Sequence, residues 1–77
     1  MTLDELGTKI EMLDDDETIY CYTENNILYA TFTTRKDVVV EVLTPFERKL
    51  LEKGQFTEED FTRKVYELKQ IANFRID

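Results

Sequence analysis

The chain contains no histidine, which removes the commonest general base and the commonest metal ligand. Its one cysteine, Cys21, excludes an internal disulfide and a thiolate zinc site, and suits a reducing compartment. Two glycines cannot furnish a phosphate-binding loop or a dinucleotide fingerprint, and neither pattern occurs. With a single proline as well, little is left for long loops, so regular elements should follow one another closely. No apolar run approaches the roughly 20 residues that span a bilayer. The opening MTLDELGTKI lacks the basic and apolar regions of a signal peptide. These absences lead to the expectation of a cytoplasmic chain with no membrane partner.

What is present is enough for one small core. The 77 residues are 42% hydrophobic, with four Tyr and five Phe. A chain of this size buries only about 60% of its unfolded surface, so modest stability is expected. The net charge of −7 is lopsided. Residues 1–34 hold Asp4, Glu5, Glu11, Asp14, Asp15, Asp16, Glu17 and Glu24 against Lys9 alone, whereas residues 35–77 hold nine acids and nine bases. The first half therefore repels nucleic acid and anionic membrane and attracts a basic surface.

The predicted fold class is α+β, in the order αβββαα, as a single domain over 1–77. Thr2 and Glu5 form a capping box for a helix over 2–13, with Leu3, Leu6, Ile10 and Leu13 on one stripe. Gly7 weakens that helix by about 1 kcal/mol, and the rival reading makes residues 8–13 the first strand of a four-stranded meander. Three segments rich in β-branched and aromatic residues predict strands over 18–23, 27–34 and 38–43.

An Asn25–Asn26 turn pairs Thr23 with Leu28, Tyr22 with Tyr29, Cys21 with Ala30, Tyr20 with Thr31 and Ile19 with Phe32. A three-residue RKD loop then sets Phe32 opposite Val40 and Ala30 opposite Val42. One sheet face collects Ile19, Cys21, Leu28, Ala30, Phe32, Val38, Val40 and Val42 as core. The other collects Tyr20, Tyr22, Ile27, Tyr29, Thr31, Val39 and Glu41. It is either covered by the first helix or left open.

Further on, Thr44, Pro45 and Glu47 cap a helix over 45–53 that stops at Gly54. Thr57 caps another over 58–73, with Phe56 stapled to Phe61. Its buried stripe is Phe61, Val65, Leu68 and Ala72. Glu59–Arg63 and Asp60–Lys64 are expected as i,i+4 ion pairs.

Residues 50–69, LLEKGQFTEEDFTRKVYELK, resemble the short C-terminal domain family called SHOCT. Gly54, Phe56, Thr57, Asp60, Phe61 and Leu68 fall on its pattern, while Val65 stands where that family commonly has lysine. The resemblance implies a small helical accessory module of bacterial and phage proteins, linked with assembly more than chemistry. It brings no catalytic residue. The opening order of capped helix, acidic turn and TIYCYT strand also looks like small uncharacterised phage and Gram-positive proteins.

Chemistry is hard to place on these residues. Cys21 reads as core packing. The acids of DDDE are consecutive, unlike the alternating ligands of a calcium loop, and acid–base work by two carboxylates needs a cleft that separates their pKa values. The basic residues make no contiguous patch, so direct nucleic-acid binding is not expected. No catalytic, cofactor-binding or metal-binding residue is predicted, and the expectation is a protein without enzymatic activity.

The candidate partner-binding residues are Asp14, Asp15, Asp16, Glu17, Tyr20, Tyr22, Glu24, Tyr29 and Glu41, because tyrosines bury large area with few rotors and carboxylates steer basic partners. The expected function is a small acidic protein-binding regulator or inhibitor, phage-encoded and blocking a nucleic-acid-handling protein in the manner of an anti-CRISPR or DNA mimic. The alternative is an assembly module that self-associates through the sheet face or the helical hairpin. A monomer and a homodimer both fit.

Overall fold

A computed structural model describes residues 1–74; the last three residues of the NFRID tail lie outside them. The elements are α1 (Leu3–Leu13), β1 (Ile19–Glu24), β2 (Ile27–Phe32), β3 (Val39–Glu41), α2 (Pro45–Glu52) and α3 (Glu58–Asn73). The strands form one antiparallel meander in the order β1-β2-β3. This is the expected αβββαα arrangement, with residues 8–13 in helix rather than strand.

The caps of α2 and α3 act as their sequences imply, whereas the box expected at Thr2 and Glu5 forms only by half, the Glu5 carboxylate accepting from the Thr2 hydroxyl and not from its amide. The Thr2 hydroxyl accepts from the Glu5 amide. Thr44 with Glu47 and Thr57 with Asp60 make reciprocal capping boxes, and Pro45 opens α2. Gly54 takes φ +69 just past α2, a conformation that costs glycine little. Phe56 meets Phe61 edge-on at 5.2 Å between ring centroids.

Helices α1 and α3 cover one face of the sheet. Leu6 and Ile10 of α1 join Ile19, Leu28, Ala30, Phe32, Val42, Leu43 and Leu51, closed over by Phe61, Val65, Leu68 and Ala72. Each fully buried Leu, Ile or Phe contributes about 1.5–3 kcal/mol. Gly7 explains itself here. A Cβ on it would stand 3.1 Å from Cys21 Cβ and 3.2 Å from Leu28 Cδ1, closer than ordinary contact, so the missing side chain lets the helix seat this near the sheet without displacing them. The stripe predicted for α1 departs from the structure at one end. Leu13 is exposed, and Asp14, four residues after Ile10, turns inward in its place.

The first hairpin has the expected register throughout, with Asn25 at φ 52 and Asn26 at φ 62. The second does not. Ala30 pairs with Val40 rather than Val42, a shift of two residues that leaves the faces unchanged. The loop is six residues long, 33–38, and its tip is drawn to the end of α3. The Thr34 hydroxyl donates to the Ala72 carbonyl (2.7 Å) and Arg35 Nη1 to that of Ile71 (3.2 Å), which adds donors to the last carbonyls of the helix beside the Phe74 amide that already bonds Ile71 O. Strand β3 is correspondingly short, and Val42 and Leu43 bend into the core.

The sheet edges differ. Ile19 and Cys21 turn their amides away from β2, and both donate to carboxylates, of Asp14 (2.7 Å) and Glu11 (3.3 Å). At the far edge Val42 N donates to Leu28 O (2.9 Å), so by the alternation of an antiparallel ladder Val39 and Glu41 face outward.

The i,i+4 ion pairs expected on α3 are not formed. Arg63 pairs with Asp60 instead (3.2 Å). Lys64 is 6% exposed and reaches Glu47 of α2 (2.8 Å) and Glu67 (3.2 Å). Burial tends to raise the Glu47 carboxyl pKa, but hydrogen bonds from Lys64 and the Thr44 amide, with the charge of Lys64, outweigh it and hold the pKa below its ordinary 4.5.

Two predictions follow from this packing. Gly7→Val should lower stability by about 2 kcal/mol through overpacking against Cys21 and Leu28, whereas Met12→Ala on the exposed side should stay within about 0.5 kcal/mol; urea unfolding reads both. Glu47→Gln keeps the capping box and loses the charge. Because the folded pKa is depressed, the stabilisation is present above pH 4.5 and is lost as pH falls through the folded value. The variant should therefore be less stable than wild type at pH 7, with the gap closing in acid, as followed by urea midpoints across pH.

Candidate functional site

The outer sheet face is open. With α1 and α3 on the opposite side, Tyr20 is 52% exposed, Tyr22 41% and Val39 52%. The register sets two rows across the three strands, Tyr20–Thr31–Val39 and Tyr22–Tyr29–Glu41, with Glu24 beside Ile27 at the hairpin end. Tyr22 and Tyr29 stack at 5.4 Å between centroids with 27° between planes. Such a cross-strand pair contributes about 0.5–1 kcal/mol and stiffens the surface. Glu41 closes its row and binds Arg48 of α2 at 2.7 Å.

The acidic turn is divided between structure and surface. Asp14, expected on the binding surface, is 3% exposed and belongs to the core boundary. Its Oδ2 accepts from the amides of Thr18 and Ile19, each at 2.7 Å, and its Oδ1 from that of Asp16 (3.3 Å). A carboxylate satisfying three amides is a turn-former, and it carries the chain from α1 into β1. It also holds Glu17 in the left-handed region at φ 52, which costs a non-glycine residue about 1 kcal/mol. Asp15, Asp16 and Glu17 remain exposed, and Lys69 stands 3.7 Å from both Asp14 and Asp16.

Asp4 and Glu11, which sequence reasoning left out, share the inward task. Asp4 accepts from the Thr23 hydroxyl (2.8 Å) and Glu11 from the Cys21 amide. Asp4, Glu11 and Asp14 stand at i, i+7 and i+10, one side of a helix, and that spacing was the available signal. The nine predicted residues thus do not form one cluster. The tyrosines, Glu24 and Glu41 share a face, Asp15, Asp16 and Glu17 sit beyond the Tyr20 end of β1, and Asp14 is internal.

Cys21 is half-buried, and its thiol pKa is pushed up to about 12, chiefly by burial and then by the charges of Glu11 and Asp14. That suppresses the thiolate and with it nucleophilicity. Among the described residues no group of three metal-ligating side chains converges. On the helical side a hollow of about 230 Å³ is lined by Leu13, Thr62, Val65, Tyr66 and Lys69.

The division of the acids is testable. Asp14→Ala should cost about 3 kcal/mol by stranding the Thr18 and Ile19 amides, while Asp15→Asn should stay within about 0.5 kcal/mol. Urea unfolding giving the two equal losses would contradict it.

No family model, curated protein or solved structure matches the chain. The functional reading accordingly rests on the chain's own residues.

Proposed function

We propose that this chain is a small non-enzymatic protein-binding regulator that acts by occupying a basic surface of another protein. The observation that carries this reading is the uncovered sheet face with Tyr20 and Tyr22 exposed and Tyr29 half-buried beside them, rimmed by Glu24 and Glu41. Exposed aromatic area of this kind is a binding hot spot when buried by a partner, and a negative rim speeds encounter with a positive one.

The partner in this reading is a nucleic-acid-handling protein, whose basic groove an acidic chain would obstruct, as phage-encoded inhibitors of the anti-CRISPR or DNA-mimic type do. Mimicry of a phosphate array by charge alone is the weaker form of the idea. Asp4, Glu11 and Asp14 are spent on the sheet edge, which leaves fewer free carboxylates than the sequence total implies. Aromatic anchoring with electrostatic steering fits better. Helix α3, which carries most of the SHOCT resemblance, packs against β1 and α1 and supports the sheet from behind.

The test uses the chain as bait in a cell lysate at low and high salt. Basic proteins should be retained at low salt and released as it rises. Retention should fall with Asp15→Asn, Asp16→Asn and Glu17→Gln combined, and fall further with Tyr22→Ala. Retention that ignores all four substitutions would refute the proposal. A sedimentation coefficient that grows with concentration and is reversed by Tyr22→Ala would favour the assembly reading instead.

A further inference from the structure

We infer that the tyrosine face is a guanidinium-recognition surface, so that the partner segment it takes is an exposed, arginine-bearing stretch of a basic protein; this rests on the proposed function and specifies the chemistry of contact. Three observations converge on it. The stacked Tyr22–Tyr29 pair is a rigid π platform at the centre of an open face. Two carboxylates share this face with it, Glu24 at the hairpin end and Glu41 in its own row, the second already paired with Arg48. Finally, the chain already seats one guanidinium at that row, where Arg48 binds Glu41 at 2.7 Å. Glu24 has no such cation: among the described residues it enters no ion pair.

Arginine fits this arrangement better than lysine. Its guanidinium is planar and weakly hydrated, so it can lie on a ring while its edge donates two parallel hydrogen bonds to a carboxylate. An ammonium keeps its water and offers a point charge. The Arg48–Glu41 pair at one side and the unpaired Glu24 at the other leave the Tyr22 side of the platform as the place where an incoming guanidinium finds both a ring and a free carboxylate.

The test is a ¹⁵N–¹H NMR titration of the full chain with the blocked peptide Gly-Arg-Gly-Arg-Gly, set against the same peptide carrying lysine and the same peptide carrying citrulline, which is uncharged and of arginine's shape. The arginine peptide should give saturable shifts centred on residues 20–24 and 29. Binding should be about fivefold weaker with lysine and lost with citrulline. Tyr22→Leu and Glu24→Gln should each weaken the arginine peptide about fivefold, with the dispersion of the spectra reporting that both variants are folded.

Equal response to arginine and lysine with both variants unaffected, or shifts confined to residues 15–17, would overturn the inference in favour of diffuse attraction. Failure of the peptide titration with salt-sensitive capture of basic proteins intact would remove the guanidinium specificity alone. Failure of both would remove the proposed function as well.

Discussion

The close approach of α1 to the sheet at Gly7 seats the first helix on the apolar face of the meander. A three-stranded sheet has two faces and this chain has apolar surface enough for one core. Contact at Gly7, with Cys21 and Leu28 just over 3 Å from where a Cβ would stand, places the Leu6 and Ile10 side chains among Ile19, Leu28 and Phe32. Helix α3 closes the same side, with Lys9 joined to Glu58 and lying 4.3 Å over the Phe61 ring. The tyrosines are left outside as a direct result.

Local rules made much of this readable from the residues. The Thr44 and Thr57 boxes, Gly54 and the Asn25–Asn26 turn act within four residues of themselves, where the sequence states the geometry outright. The β1–β2 register follows from that turn, and with it the company kept by Tyr22 and Tyr29. What escaped depends on distant groups. The six-residue loop is held by carbonyls at the end of α3, nearly forty residues further along the chain. Charged residues on buried stripes also escaped, although their spacing was visible. Asp14 stands four after Ile10, and Lys64 stands three after Phe61 and four before Leu68. By residue type Asp14 reads as part of a binding surface and Lys64 as the partner of Asp60, because a lone charge rarely enters a core. Each does so with its partners, the Thr18 and Ile19 amides for one and Glu47 with Glu67 for the other.

The charge of the first half therefore has two duties. Asp4, Glu11 and Asp14 fasten the first helix along β1, where they accept from a hydroxyl and from main-chain amides. Asp15, Glu17 and Glu24 stay in solvent, where they shape the field around the tyrosine face without holding the fold together. A formal charge of −7 overstates what an approaching molecule meets at any one place, and the location of the free carboxylates matters more than their sum.

The inequality of the two sheet margins carries a consequence for crowding. Along β1 the outward amides of Ile19 and Cys21 are already occupied, while Val39 and Glu41 on β3 still offer theirs. If two molecules met margin to margin through β3, the joined ribbon would end on both sides in a β1 whose Ile19 and Cys21 amides are already taken by its own helix. Further strand addition would meet fewer free donors there than at β3, so the two margins are unequal as templates for pairing.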